Sequence, residues 1–578
     1  MESSGAGDRL SKLEDHVLGH ILSFLPAKEA ARAAALSPRW RNLYDHVHTV
    51  SMEEEPADDT PGDGYRNACD SPQCYAPRRD LNRKPRFSTG VSAALLARHH
   101  RGGAVPLRAL RVAMADYRHA SDCSAIDQWV TYAVRQAVVE IELRFRRILV
   151  CARPYYHCSG TATQTCCQEE GEEEEEEEQA PPPHCSVSDN NMMPMPDDDM
   201  VEDDPHRSIA SLSDDEDVLF SSDDVVQEKD PYLDHHHHRS KPAPHTITTA
   251  LFSCATLRSL SLVSCLLAPP ATIHLPSLET LLLSFVPDPG SHVQRLVSGC
   301  PRLADLTLEQ CHAVTSLSVL GNETRLRRLA IRCCHNLKAV VLSYASELRA
   351  FEYKGCMPDE SFLTMHGGCT RISVLKVDIC GWEVIPEHDF IKLSKLLQQF
   401  ANAKYIRLES ARLGSGAEND VTTVRFPTLP RLRCIELGGC LPDNDDTGAV
   451  DMVSTILQYT PDLETLTLVF YPHKQNWDST STEEDPRDAH HLSYNPHAVL
   501  HAPNAVMPCL RSRLRKIGLV YYQGGTAQRT LVKFLLINAP LIQELWCYMA
   551  EGPLWRQTQL MREIKGWITN KSATTYFA

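Results

Sequence analysis

The sequence lacks any long apolar run. No stretch approaches the roughly 18 consecutive apolar residues that a membrane-spanning helix needs. Residues 1–9 are polar and lack the apolar core of a secretory signal, so we expect none. The mean hydropathy of -0.30 and the charged fraction of 23% are typical of a soluble chain. We therefore expect no membrane contact and a location in the cytoplasm, the nucleus or both.

Catalytic motifs are missing as well. The sequence contains no phosphate-binding P-loop, no Gly-x-Ser-x-Gly nucleophile elbow, no His-Glu-x-x-His zinc motif and no Gly-x-Gly-x-x-Gly dinucleotide motif. We predict a protein that is not an enzyme and that needs no cofactor.

A concentrated basic run is absent, although the charge is uneven. Residues 169–230 contain 24 Asp and Glu against two basic residues, Arg207 and Lys229, so this segment carries -22. The whole chain carries -17, which leaves +5 for the remainder. Because nucleic-acid binding usually needs a basic patch, we expect no nucleic-acid partner.

The first fifty residues have the apolar spacing of short helices. Seven apolar residues recur at three- and four-residue steps, which predicts one stripe of a helix: Leu10, Leu13, Val17, Leu18, Ile21, Leu22 and Leu25. Ser11 and Glu14 have the spacing of a capping box, and Pro26 should end the helix. A second helix is expected over residues 28–36, and a third should follow the Ser37 cap.

The segment Asp8-Arg-Leu-Ser-Lys-Leu-Glu-Asp-His-Val-Leu-Gly-His-Ile-Leu-Ser-Phe-Leu-Pro26, continued by Leu36-Ser-Pro-Arg-Trp-Arg41, closely resembles the F-box. Family members usually have Leu-Pro where this chain has Leu13-Glu14. The resemblance implies binding to a Skp-type adaptor and, through it, to a cullin. The implied adaptor-binding positions are Leu13, Leu18, Ile21, Leu22, Leu25, Pro26, Leu36, Ser37 and Trp40. For each apolar position a role in the core of the helical unit stays open, because a helical stripe looks the same either way.

Downstream, the pattern Leu-x-x-Leu-x-Leu recurs, with spacings of 21 to 25 residues between residues 257 and 372. Six copies carry a cysteine at one offset, which we expect to be buried and structural: Cys265, Cys311, Cys334, Cys356, Cys380 and Cys440. Fainter copies begin at Leu107 and Val138. The prediction is an α/β fold in which a three-helix unit precedes a curved leucine-rich-repeat solenoid with a parallel sheet on its concave face.

The tracts 94–99 and 106–112 resemble plant F-box/leucine-rich-repeat proteins, and the tracts 514–523, 534–540 and 545–547 resemble the FBD ending of that family. The predicted boundaries follow from these segments: F-box 1–50, linker 51–89, first repeats 90–151, disordered acidic insert 152–244, solenoid 245–510 and FBD-like cap 511–578. Capping of the last repeat is what the FBD-like region would supply.

The acidic insert contains two kinds of candidate site. Ser211, Ser213 and Ser221 each precede an acidic residue by three positions, which resembles a casein-kinase-two-type substrate; unmodified serines in a solvated tail are the favoured alternative. The histidines 235–238 and the Cys and His residues near 157–185 lack zinc-finger spacing, so we expect no metal site.

The resulting functional hypothesis is a substrate-recognition subunit of a Skp–cullin–F-box ubiquitin ligase. Its repeats would bind an unknown target protein, and the chain is expected to be monomeric outside the complex. Two alternatives stay open: a ligand-sensing receptor on the same scaffold, and a scaffold without a role in ubiquitination.

Overall fold

A computed structural model supplies the coordinates of this protein. The structure describes residues 12–33, 36–37, 39–40, 43–54, 87–98, 105–115, 117–145, 244–319, 325–343, 347–367, 371–379, 387–412, 426–441, 448–471, 491–502 and 507–578.

A small helical unit lies at the N-terminal end of the described chain. Helix α1 spans Asp15–Leu22 and α2 spans Ala27–Ala33, and a 3-10 turn follows at Leu43–His46. Helix α1 begins after Glu14, later than the expected start at Ser11, a residue outside the described ranges. The chain turns before Pro26 and resumes as α2 directly after it, because the residue before a proline is pushed out of helical geometry.

A parallel sheet of 15 strands forms the rest of the architecture. In sheet order its strands are β1 Thr49–Glu53, β2 Ala109–Ala113, β3 Glu140–Arg144, β5 Ser259–Val263, β7 Thr280–Ser284, β8 Asp305–Glu309, β10 Arg328–Arg332, β12 Ala350–Gly355, β14 Val374–Ile379, β15 Tyr405–Arg412, β16 Cys434–Cys440, β17 Thr465–Tyr471, β18 Lys516–Tyr522, β19 Glu544–Met549 and β20 Thr574–Phe577. Smaller parallel sheets contain β4 His245–Thr246 with β6 Cys265–Leu266, and β9 Ser316–Val319 with β11 Ala339–Leu342 and β13 Leu363–Met365. The mixed α/β prediction, with helices first and a long parallel sheet behind them, is confirmed.

The register of the sheet explains its stability. Leu281 lies beside Leu306 and Leu306 beside Leu329, so identical positions of successive repeats stack in one row. These leucines are fully buried, while the residues beside them on β7 and β8, such as Leu282 and Thr307, are half-exposed. Burying such a side chain contributes about 1.5–3 kcal/mol, so each repeat is stabilised chiefly by its neighbours.

Helices connect many of the strands. Their bounds are α3 Phe87–Ala97, α4 His119–Arg135, α5 Gly290–Ser298, α6 Glu387–Gln398, α7 Gly448–Gln458, α8 Pro508–Ser512, α9 Thr526–Asn538 and α10 Leu554–Trp567, with a 3-10 helix at Thr249–Ser253. Within the described ranges, no helix is both long and apolar enough to cross a bilayer.

The array begins earlier than expected. Strand β1 pairs in parallel with β2, joining Val50 to Leu110, and helix α3 starts at Phe87. The expected linker over residues 51–89 therefore contains most of a sheet strand and the start of a helix, which corrects its boundary. The sequence pattern missed β1 because the apolar positions in and before it, Val47, Val50 and Met52, contain no leucine.

The strands on either side of the acidic segment are direct neighbours. Ile141 of β3 lies beside Leu260 of β5 in the sheet. The array therefore continues across residues 146–243, as the repeat pattern predicted, while the predicted disorder of the insert lies outside the described residues.

The expected burial of the repeat cysteines holds at Cys265, Cys311 and Cys334, whereas Cys356 is exposed and Cys440 is half-buried. Cys380 lies outside the described residues. The backbone explains the difference. A residue with a positive φ precedes each buried cysteine, namely Ser264, Gln310 or Cys333, and this left-handed step turns the next side chain inward. Strands β12 and β16 continue without such a step, so ordinary alternation leaves their cysteines outside.

The end of the sheet contains the expected strand, helix and strand as β18, α9 and β19. Helix α10 and strand β20 then follow and add one more parallel pairing, in which Leu545 lies beside Thr575. The last described repeats are thus extended beyond the elements that the sequence pattern predicted.

Candidate functional site

The N-terminal helical unit has a core of its own. Six buried residues form it, separate from the core of the array: Leu18, Leu22, Ala30, Leu43, Tyr44 and Val47. Leu13 and Trp40 pack against this core and are partly buried. A core of six residues buries little apolar surface. The unit therefore needs further contacts with its surroundings to be stable.

Close backbone contacts fix the geometry of this unit. Gly19 faces the 3-10 turn so closely that an added Cβ would lie 2.3 Å from the Cβ of His46. The buried Ser23 hydroxyl donates to the Gly19 carbonyl at 2.9 Å and accepts from the His48 amide at 3.0 Å. Farther along, the Trp40 amide donates to the Ser37 hydroxyl at 3.3 Å, in agreement with the predicted cap.

Large apolar side chains face solvent on the same unit. The exposed fractions are 76% for Phe24, 74% for Leu36, 40% for Leu25 and 39% for Ile21. Ile21, Phe24 and Leu25 have i, i+3 and i+4 spacing at the end of α1 and in the turn after it. We call Ile21, Phe24, Leu25 and Leu36 the apolar face of the helical unit. The spacing makes Ile21, Phe24 and Leu25 neighbours, and contiguous exposed apolar side chains often mark interaction sites.

A buried arginine joins the helical unit to the array. Arg98 is 1% exposed and donates from Nε to the Val47 carbonyl at 2.7 Å, while its guanidinium also reaches the Val105 carbonyl. Its Nη1 lies 3.4 Å from the Tyr132 hydroxyl on α4. Burial lowers the pKa of Arg98, although nearby tyrosines oppose the shift. The guanidinium thus ties the end of the helical core to the first repeats.

Two histidines lie at the same junction. Nδ1 of His20 and Nε2 of His48 are 2.8 Å apart, a distance that requires one donor and one acceptor. Burial lowers the pKa of His48, and the charges of His20, Arg108 and Arg98 lower it further. The pair is therefore compatible with neutral rings and not with two protonated ones.

The outward face of the sheet, formed by the side chains that alternate with the buried rows, is covered by cross-strand ion pairs over much of its length. Arg111 contacts Glu140 at 2.6 Å, Arg332 contacts Glu352 at 2.7 Å, and Lys354 contacts Asp378 at 3.0 Å. These pairs fix long side chains in place and give the face a patterned, polar surface.

A hydrogen bond adds to this pattern on β15 and β16. The Tyr405 hydroxyl donates to Glu436 at 2.8 Å, and both burial and this bond raise the pKa of Tyr405. Beyond β16, successive strands place Thr467, Gly518 and Trp546 in register, and Lys516 of β18 contacts Glu544 of β19 at 2.8 Å.

Comparisons with known proteins agree with this architecture. The model of the F-box domain matches residues 10–47, and the model described as "At1g61320/AtMIF1, LRR domain" matches residues 247–507. This chain is a plant-type F-box/leucine-rich-repeat protein. The F-box is therefore the helical unit, and the leucine-rich-repeat (LRR) array is the sheet with its connecting helices.

Curated relatives resemble the N-terminal region. The Arabidopsis thaliana F-box/LRR-repeat protein At4g14103 is 44% identical over 54 residues, which are 9% of this chain and 14% of the relative. The putative F-box protein At5g40050 of the same plant is 54% identical over 44 residues, 8% of this chain and 11% of the relative. The matched region thus spans less than one sixth of these relatives. The FBD-like nature of residues 511–578 lies outside both matching models and stays a prediction.

The structure separates the predicted adaptor-binding residues of the F-box into groups. Leu18 and Leu22 are buried in its core, so direct contact with a partner, as predicted for them, does not fit this structure. Leu13, Ser37 and Trp40 are half-buried, whereas Pro26 is exposed beside the apolar face. Phe24, the most exposed apolar residue of the unit, was missed, although its spacing from Ile21 was visible in the sequence.

The other candidate sites fall elsewhere. Among the residues that the structure describes, no group of three or more His, Cys, Asp and Glu is placed to hold a metal ion. The histidines 235–238 and the candidate phosphorylation sites Ser211, Ser213 and Ser221 lie outside the described ranges.

Proposed function

We propose that this protein is the substrate-recognition subunit of a Skp–cullin–F-box ubiquitin ligase. The F-box binds a Skp-type adaptor, and the LRR array binds a target protein whose lysines are then presented for ubiquitination. In this role the chain supplies proximity and no catalytic group, and it acts as a monomer outside the complex, in the cytoplasm or the nucleus.

The observation that carries the proposal is the apolar face. Leu18 and Leu22 are buried in the core, yet Ile21, Phe24 and Leu36 remain exposed on the same small unit. Burial of each of these side chains against an adaptor would contribute about 1.5–3 kcal/mol. A unit with a marginal core would gain stability from the same contact.

The array supports the second half of the proposal. A sheet of 15 parallel strands presents a long outward face, and ion pairs such as Arg332–Glu352 hold its side chains in defined positions. Repeat arrays use such extended surfaces to bind other proteins. The F-box and the array thus offer two separate surfaces on one chain.

The test replaces exposed residues and spares the core. Phe24→Asp combined with Leu36→Asp should weaken binding to a purified plant Skp adaptor by at least about tenfold, because the removed apolar contacts are worth more than 1.4 kcal/mol. The matched control is Val499→Asp with Leu554→Asp, two exposed apolar residues far along the chain, which should leave the affinity unchanged. Isothermal titration calorimetry on full-length chains measures both.

Circular dichroism and thermal unfolding should be the same for all three chains, because surface substitutions rarely change stability by more than about 0.5 kcal/mol. Unchanged adaptor affinity in the Phe24 and Leu36 variant, or absence of adaptor binding by the parent chain, would refute the proposal. The double substitution Leu18→Asp and Leu22→Asp is unsuitable, because it would unfold the F-box whatever its partner.

A further inference from the structure

One edge of the LRR array concentrates basic side chains. The residues directly preceding strands β10, β12, β15 and β16 are Arg327, Arg349, Lys404 and Arg433, all exposed. A backbone ladder joins them: the Arg349 amide donates to the Arg327 carbonyl at 2.8 Å, and the Arg433 amide donates to the Lys404 carbonyl at 3.0 Å. Ser373 lies between the two pairs and donates to the Arg349 carbonyl at 2.9 Å. These residues therefore form one row.

A second row runs beside the first. Two residues earlier, the repeats of β8, β10, β14 and β16 carry exposed Arg302, Arg325, Arg371 and Arg431, whereas those of β12 and β15 carry Glu347 and Asn402. A buried aliphatic residue such as Leu326 separates the two rows and leaves both facing solvent. Together the two rows, which we call the basic edge, contain eight basic residues and one acidic residue, Glu347.

The basic edge has defined ends. On its N-terminal side Arg258 lies 3.8 Å from Glu279, and on its C-terminal side Arg513 lies 3.5 Å from Asp462. These flanking repeats balance their charges, so the excess positive charge is confined to six strands, β8 to β16. At about 4.8 Å between strands, the basic edge is roughly 24 Å long, which matches about seven residues of extended peptide.

Few carboxylates of this chain neutralise the basic edge. Arg371 contacts Glu347 at 2.6 Å, and Arg433 lies 3.8 Å from Glu464. Within the described part of the chain, the other six basic residues have no carboxylate within the 4.0 Å of an ion pair. So much like charge on one edge is unfavourable for the chain alone and becomes favourable when an acidic partner binds.

We propose that the basic edge binds an acidic segment, rich in Asp and Glu, of a partner protein. Seven of its eight basic residues are arginines, whose planar guanidinium groups match carboxylates with paired hydrogen bonds. The positions of the basic edge carry no aromatic side chain on which bases could stack, which favours a peptide over single-stranded nucleic acid. The inference is independent of adaptor binding, because the basic edge lies on the array alone.

The test uses the full-length chain and a fluorescein-labelled peptide of twelve alternating Asp and Glu residues, measured by fluorescence anisotropy. The variant carries Arg327→Glu, Arg349→Glu, Lys404→Glu and Arg433→Glu. Its affinity should fall by at least about tenfold, because attraction becomes repulsion at four sites of one row. For the parent chain, binding should weaken steeply between low and physiological salt.

The matched control makes the same change in net charge at exposed, scattered positions: Arg135→Glu, Arg511→Glu, Arg562→Glu and Lys571→Glu. It should bind the peptide within about threefold of the parent, because the four changed charges lie outside both rows of the basic edge. A neutral Asn and Gln peptide should not bind. Thermal unfolding confirms that both variants remain folded.

Three results would overturn the inference. Equal loss in the two variants would show attraction to net charge and no defined surface. Tighter binding of a twelve-nucleotide single strand than of the peptide would assign the basic edge to nucleic acid. Binding that appears only after removal of residues 169–230 would assign it to the acidic segment of this chain itself.

Discussion

The F-box leaves large apolar side chains exposed beside a small core, whereas the LRR array buries rows of aliphatic side chains. Six residues form the F-box core, while Phe24 and Leu36 stay in solvent beside it. In the array the rows of aliphatic side chains are buried against neighbouring repeats, and ion pairs such as Lys354–Asp378 occupy the outward face. The difference shows that the F-box has little core to stabilise it, whereas the repeats of the array stabilise one another.

The largest difference in stability between the two regions is expected from a substitution in the F-box core. Leu18→Ala should destabilise the unit by about 2–5 kcal/mol, because a fully buried leucine leaves a cavity in a core of six residues. Hydrogen exchange followed by mass spectrometry should show lost protection in α1 and α2, with β8 and β10 still protected. If the array loses protection at the same time, the two regions form one cooperative unit.

An intermediate effect is expected at the junction. Arg98→Met removes the donor to the Val47 carbonyl and leaves a buried acceptor without a partner, at a cost of about 1–3 kcal/mol. Arg135→Met, at an exposed position on α4, is the control and should cost less than about 0.5 kcal/mol. Urea denaturation measures both, and equal midpoints would show that Arg98 does not connect the two regions.

The smallest effect concerns pH. Because the folded state lowers the pKa of His48, the unfolded chain binds more protons as the pH falls. Stability from this site is therefore complete above the ordinary histidine pKa of about 6.5 and declines as the pH drops below it. His48 is only partly buried, so we expect a loss below about 1 kcal/mol between pH 7.5 and pH 5.5.

The urea midpoint of the F-box transition at the two pH values measures this loss. His48→Gln removes the titrating group and should reduce the difference between the midpoints. A variant with the same pH dependence as the parent would show that other groups cause it.

Much of the array could be predicted because its pattern is local. Leu260 and Leu262 alternate within one strand, and the same alternation recurs in every clear repeat. Strand β1 escaped prediction because Val47, Val50 and Met52 follow the spacing of the pattern without a leucine. The outward position of Cys440 escaped because it depends on the φ of a preceding residue, which a cysteine spacing does not reveal.

The sequence identified the F-box motif and its positions, but it did not separate the core residues of the helical stripe from the exposed ones. Leu18 and Ile21 belong to the same helical stripe, and only the packing of the 3-10 turn near His46 decides that Leu18 is buried. The basic edge could not be predicted from the sequence for a different reason. Arg327 and Arg349 are far apart in the sequence and become neighbours only through the register of β10 and β12.

Strands β3 and β5 pair directly, so the sheet does not depend on the length of the chain between them. Because the sheet itself joins Ile141 to Leu260, we expect this pairing to tolerate insertion, deletion or cleavage within residues 146–243. A chain cleaved there should remain one particle held together by the sheet.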